Sequence, residues 1–337
     1  MDRLAYSGRG LGCFSLSSRR GSPSSPTTKT PLARCIFARL KLRPHLFLIG
    51  ANLLYGANYG IAKIALDGYV PPFAFIVVRV VLALAMFAVF QRTFIREKVD
   101  RSDWPLLALC GLFGVAVNQL FFFKGLSMTS EIHASLIMIT TPLLVLLMAR
   151  LAGKERLTVR KGLGILIGAA GLAWLVQQGG SGSERSASVL GDLFVLVNAS
   201  AYGLYLVLVK PLMRKYHPIT VIMWVFFFGM FIVVPVGAPQ LADVDWQHLP
   251  PAVWGSIAFV VLGTTFLAYL FNSMALRDVN PSVVSVYIYT QPLIAAFIAV
   301  ASGKDTLYAT KLLAGLLIVV GVWLVSRAPA VSTPAKS

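Results

Sequence analysis

The chain has 337 residues, of which 57% are hydrophobic and only 13% charged, where a soluble domain would carry roughly 25% charged residues. That composition excludes a soluble globular protein. The formal net charge of +17 does not mark a nucleic-acid partner, because the basic residues alternate with long apolar stretches and gather on no one surface.

Residues 1–44 come first, rich in Ser and Arg and containing "GSPSSPTTKTP". They read as a disordered basic tail, with a transit peptide or a start codon assigned too far upstream as the alternatives. Apolar stretches then follow one another over 45–66, 72–90, 104–124, 131–150, 161–177, 189–209, 219–237, 252–272, 282–301 and 309–326. A run of about 20 apolar residues crosses the hydrocarbon core as a helix. Barrel strands would show alternating segments of about ten residues, and "VVRVVLALAMFAVF" does not alternate. The expected fold is an all-α polytopic membrane protein with ten transmembrane helices. The three cysteines, Cys13, Cys35 and Cys110, form no CxxC pair and give no disulfide or zinc signal.

The sequence repeats. "TTPLLVLLMARLAGKERL" at 140–157 returns as "TQPLIAAFIAVASGKDTL" at 290–307, and an offset of 150 aligns 104–176 with 254–326 without a gap. Eighteen of the 73 aligned positions are identical, among them Thr140/Thr290, Pro142/Pro292, Lys161/Lys311 and Gly171/Gly321. Nearer the start the offset slips to 147, where "YGANYGIAK" meets "YGLYLVLVK". The expected division is a first repeat over 45–178, a Ser/Gly-rich linker over 179–188, a second repeat over 189–327 and a tail over 328–337. Five spans per copy send the second copy into the membrane from the opposite side, so the repeats are expected to be inverted. Counting Lys and Arg by loop with the N-terminus inside gives 19 inside against 4 outside. The excess predicts cytoplasmic termini, in a plasma (inner) membrane.

The stretches "TSEIHASLIMITTPLLVLLMARLAGKERLTVRKGLGILIGAAGLAWLV" and "VNPSVVSVYIYTQPLIAAFIAVASGKDTLYATKLLAGLLIVVGVWLV" each hold a small-residue helix, a central Pro, a G-x-[E/D]-x-L turn and a Gly-containing last helix. This order resembles the EamA-type domain of the drug/metabolite transporter superfamily, twice over. The departure is the turn, which reads Gly-Lys-Glu and Gly-Lys-Asp where the family more often has Gly-Glu. The resemblance implies ten helices, cytoplasmic termini, and export or exchange of small organic metabolites such as amino acids or drug-like compounds.

Polar groups buried in apolar spans need partners, and here they cluster at similar depth. The expected substrate-binding set is Tyr55, Asn58, Arg79, Asn118, Gln119, Thr140, Thr141, Asn198, Tyr202, Thr264, Tyr269, Tyr287 and Gln291. Arg79, well inside the second span, is the leading ionisable candidate: either an anchor for a carboxylate or a partner of Glu131 or Asp67. Lys63, Lys124 and His133 lie nearer span ends. Pro142 and Pro292 are expected hinges, each freeing the carbonyl four residues earlier, at Met138 and Ile288, with Thr140, Thr141, Thr290 and Gln291 beside them. Glycines spaced four apart at Gly56/Gly60 and Gly164/Gly168 permit close helix contact, within the bundle or across a homodimer, the monomer being the expected state.

No Asp or Glu falls at mid-depth, which leaves facilitated diffusion open. "ASGKD" is no Walker A sequence, and neither G-x-S-x-G nor HExxH occurs, so no catalytic residue, metal or cofactor is expected. The reading is a secondary transporter acting on a small-molecule solute within the lipid bilayer. A channel or membrane scaffold is the alternative, and an intramembrane enzyme a more remote one.

Overall fold

Proline explains where many of the helices start. The ring fixes φ and lacks only an N–H that the first turn leaves unbonded anyway. Helices α2 (Pro72–Phe90), α3 (Trp104–Gly111), α5 (Thr141–Leu151), α8 (Pro218–Ala242), α9 (Pro251–Phe259) and α11 (Pro281–Val286) each carry a proline in the first turn. The other helices are α1 (Pro31–Leu66), α4 (Asn118–Met128), α6 (Val159–Gln178), α7 (Val189–Lys215), α10 (Ala268–Asp278) and α12 (Ala309–Ser326). This computed structural model describes residues 31–66, 68–128, 137–178, 188–291, 293, 294, 297 and 309–327. Residues Met1–Arg39 and Leu40–Ser337 form separate units; of the first, the helical backbone from Pro31 is described, ahead of the position 45 expected for the first span. Pro292, Asp67, Glu131, His133 and residues 179–187 lie outside the described residues.

All the regular structure among the described residues is helical. Among the described residues, five helical stretches are long and apolar enough to cross a membrane: Pro72–Ile95, Arg101–Gly125, Val189–Lys215, Pro218–Ala242 and Pro251–Asp278. Two shorter apolar helices, Thr141–Leu151 and Leu312–Ser326, accompany them. Two of the long stretches widen into π-helix at matching places, Leu112–Val117 between α3 and α4 and Val260–Leu267 between α9 and α10.

Helices at equivalent positions of the two repeats pack against one another, and they do so antiparallel. On α6, a Cβ at Gly164 would stand 2.9 Å from Gly321 O, and one at Gly171 would stand 2.8 Å from Ala314 O. Moving forward along α6 thus moves backward along α12. Likewise, Phe73 N donates to Gln240 Oε1 at 3.0 Å, while the rings of Phe87 and Phe226 meet at 5.6 Å, so α2 and α8 also run oppositely. The glycine row of α6 is covered by α12 and by Tyr289 of the same chain, which is the intramolecular use of the close-packing pattern.

The G-x-[E/D]-x-L turn of the first repeat is a joint between repeats. Gly153, at φ 66°, ends α5 in the left-handed region that glycine adopts without strain. The reversal lets Lys154 Nζ donate to Val207 O at 2.7 Å, and burial holds its ammonium below the usual lysine value. Glu155 turns inward, fully buried. It pairs with Lys161 and accepts from Ser282 N at 3.1 Å and from Ser282 Oγ, at the start of α11 in the other repeat. Lys210 of α7 donates to the carbonyls of Leu276, Arg277 and Val279, satisfying the end of α10.

Candidate functional site

Arg79 organises the polar interior. It sits on the inward face of α2, 9% exposed, and its Nε donates to Thr265 Oγ1 at 3.1 Å. Thr265 lies in the π segment between α9 and α10, where its own hydroxyl donates to Val260 O at 2.8 Å. Thr264 contacts the same carbonyl at 2.8 Å and Asn58 Oδ1 of α1 at 3.3 Å. The widened turn therefore presents two hydroxyls to neighbouring helices instead of hiding both against its own backbone. Among the described residues no carboxylate lies within ion-pair range of Arg79.

Two tyrosines lie near the guanidinium. Tyr55 of α1 and Tyr269 of α10 both interact electrostatically with Arg79, and Tyr202 of α7 with Tyr269. Gln119 Nε2 of α4 reaches Tyr269 Oη at a long 3.4 Å. The Phe226 ring stands edge-on to Tyr269 at 5.0 Å. Tyr205, one turn beyond Tyr202 with rings 6.3 Å apart, seats on Gly114, where a Cβ would fall 2.4 Å from its Cδ2. Tyr55, Tyr202 and Tyr269 are each half-buried.

Five buried polar atoms have no hydrogen-bond partner among the described residues' contacts: Gln119 Oε1, Thr141 Oγ1, Asn198 Oδ1, Thr220 Oγ1 and Ser326 Oγ. The first three belong to residues singled out from the sequence. Such atoms cost roughly 1–3 kcal/mol each when left unbonded, so an interior that carries several calls for a ligand or water.

The thirteen expected binding residues divide. Tyr55, Arg79, Gln119, Tyr202 and Tyr269 converge in this cluster, with Asn58 and Thr264 adjoining it. Asn198 and Asn118 meet at the α4–α7 contact, where Asn198 Nδ2 donates to Asn118 O at 2.6 Å. Tyr287 and Gln291 find partners on α1 instead: Tyr287 Oη lies 2.8 Å from His45 Nδ1, and Gln291 Nε2 donates to Asn52 Oδ1 at 2.9 Å. Thr265, Tyr205 and Asn52 lie outside the expected set.

Pro142 is not the interior kink its span suggests. The helix has already broken at Ile139–Thr140, and α5 restarts at Thr141, so the proline occupies a first turn. Thr140 Oγ1 donates to Ile137 O at 2.7 Å, and Thr290 Oγ1 donates to Tyr287 O at 2.6 Å. These are the same bond at repeat-equivalent positions. Two further bonds join residues 150 apart to their own counterparts: Gln119 to Tyr269, and Tyr289 Oη to Ile139 O at 2.7 Å. Only positions near the axis relating two copies touch their own equivalents, so the polar cluster straddles that axis.

Membrane-crossing helices around a basic, tyrosine-lined interior shared between two repeats define an integral membrane protein of the solute-transporter class. The chain belongs to the EamA-like transporter family, whose pattern matches residues 42–177 and again residues 189–327; the drug/metabolite transporter superfamily includes it. It is 26% identical over 305 residues to the uncharacterized transporter YyaM of Bacillus subtilis, covering 88% of this chain and 98% of that protein. A probable terminal-alkyne amino-acid exporter of Streptantibioticus cattleyicolor is 24% identical over 230 residues, 67% of this chain and 74% of its own. A WAT1-related protein of Arabidopsis thaliana is 23% identical over 313 residues, 83% of this chain and 84% of its own. One crystal structure shares the fold, with a TM-score of 0.68 at 21% identity over 83% of this chain and 95% of that one.

Proposed function

We propose that the protein is a secondary transporter that moves small organic metabolites by alternating access at a cavity between two inverted five-helix repeats. The observation that carries this reading is Arg79. A guanidinium buried among membrane helices, bonded to one hydroxyl and near two tyrosines, is a functional group by default and fits a carboxylate bidentately. Gln119 Oε1 and Asn198 Oδ1 are acceptors left for an N–H donor, and the tyrosine and phenylalanine rings suit an apolar body. An amino-acid-like solute satisfies all three demands, and a relative named as a probable amino-acid exporter supports it. Ten spans, cytoplasmic termini and a monomeric unit in the plasma (inner) membrane complete the proposal, with Pro142 and Pro292 as the hinges on which the repeats rock.

Counterflow in proteoliposomes tests it. Preloaded amino acid is expected to drive uptake of labelled amino acid, while the amine lacking the carboxylate does not. Arg79→Gln is expected to lower exchange at least about ten-fold, the loss of one charge-assisted pair, with Arg79→Lys intermediate and melting temperature retained. Exchange unchanged in Arg79→Gln contradicts the site, and voltage-dependent current without exchange favours a channel.

A further inference from the structure

We infer that the arginine-rich end of α2 holds a binding site for one anionic phospholipid, distinct from the solute site. The lipid-facing stripe of α2 is legible from exposure: Val81, Leu82, Ala85 and Val89 recur at helical spacing and stand open on the outer face of the bundle. Toward the end of the helix this stripe deepens into a groove of about 410 Å³, lined by Ala85, Met86, Val89, Phe90, Phe94 and Phe266. Every lining side chain is apolar, which suits an acyl chain.

Basic groups continue from that groove. After Phe90 the helix widens into a π turn, Gln91–Ile95, closed by Arg96 N donating to Gln91 O at 2.7 Å. The wide turn packs Phe90 against Phe94 at a tilt, with ring centroids 4.6 Å apart. By the same spacing it sets Arg92 beside Arg96, whose Nε donates back to Arg92 O at 3.3 Å. An aromatic stripe and an arginine stripe thus run side by side on one turn, the first lining the groove and the second following it.

The nearby acids are already engaged. Glu97 accepts from His217 N at 2.9 Å, and Asp100 accepts from Lys215 Nζ at 2.7 Å and from Tyr216 Oη at 3.1 Å. Arg92, Arg96, Lys98 and Arg101 stay exposed, with no ion-pair partner among the described residues. Basic residues directly beyond a membrane helix attract anionic headgroups, and the adjoining groove supplies the acyl site that a bare basic patch lacks. The groove adjoins the Arg79–Thr265 bond, since Phe266 follows Thr265 in the chain and its ring meets Phe87 at 4.7 Å.

The test is native mass spectrometry of the full chain in detergent, titrated with phosphatidylglycerol, with phosphatidylcholine of equal chain length, and with free sn-glycerol 3-phosphate. Phosphatidylglycerol is expected to bind in preference to phosphatidylcholine, and the free phosphate not to bind. Each arginine at an anionic surface gives roughly a five-fold preference, so Arg92→Gln/Arg96→Gln should lower it by about 25-fold. Arg92→Lys/Arg96→Lys should retain most of it, and so should the remote control Arg150→Gln/Arg156→Gln. Val89→Trp, which fills the groove, should weaken the binding of phosphatidylglycerol. The inference is overturned by an absence of preference in the native chain, by equal loss in the remote control, by free phosphate binding as well as lipid, or by full binding in Val89→Trp.

Discussion

Glu155 and Lys161 bring opposite charges together where both side chains are almost wholly hidden, 0% and 2% exposed. Such a pair adds little net stability over an apolar one, but breaking it strands a buried charge. Glu155→Gln is therefore expected to destabilise the protein by about 3–5 kcal/mol, seen as a clearly lower melting temperature in detergent. Glu155→Gln/Lys161→Met should recover much of that loss; an unchanged melting temperature in the single variant would mean that the turn is held by something else. The same residues mark the reach of sequence reading at this scale. The motif turn was visible as a repeated phrase, but its partner Ser282 lies 127 residues away and carries no signal of its own. Arg79 was legible because charge inside an apolar span is expensive. Tyr205 was not, because a tyrosine in such a span is as often packing as function.

Helix pairing depends on residues without side chains. A Cβ at Gly321 would fall 2.6 Å from both Gly164 O and Gly168 N, contacts that only backbone movement relieves. Gly321→Val is expected to force α6 and α12 apart at a cost of about 1–3 kcal/mol, measured as a fall in melting temperature, whereas Gly162→Ala, facing open space, should be neutral. Equal behaviour of the two variants would contradict the close packing. The glycine spacing was plain in the sequence; which helix covers it was not, because spacing describes one surface and says nothing of its mate. Pro142 teaches the converse. Its position predicted a freed carbonyl inside a continuous helix, but the chain breaks a residue or two earlier and uses the proline to begin again. A break of this kind suits motion, so Pro142→Ala, by letting the turn at Ile139–Thr140 wind into helix, is expected to slow exchange by several-fold while leaving solute binding nearly unchanged. Counterflow rates set beside thermal-shift affinities measure that split, and equal losses in both would remove the hinge role.

At the scale of the molecule, one repeated sequence is packed against itself in opposite directions. The repeat period and the apolar runs made the bundle legible, because bilayer thickness sets both. The π segments and the Arg79–Thr265 bond were not, since they arise from contacts between copies that no local pattern encodes. Everything proposed for transport depends on the two copies entering the membrane in opposite senses, so that their shared polar interior opens to one face and then to the other. The direct measurement is sidedness labelling of Gly10→Cys and Ser183→Cys, each in a chain whose Cys13, Cys35 and Cys110 are replaced by Ser, with a membrane-impermeant thiol reagent applied to either face. Opposite senses require positions 10 and 183 to react from opposite faces. Reaction of both from one face would mean an even number of crossings between them, and the inverted arrangement would fall.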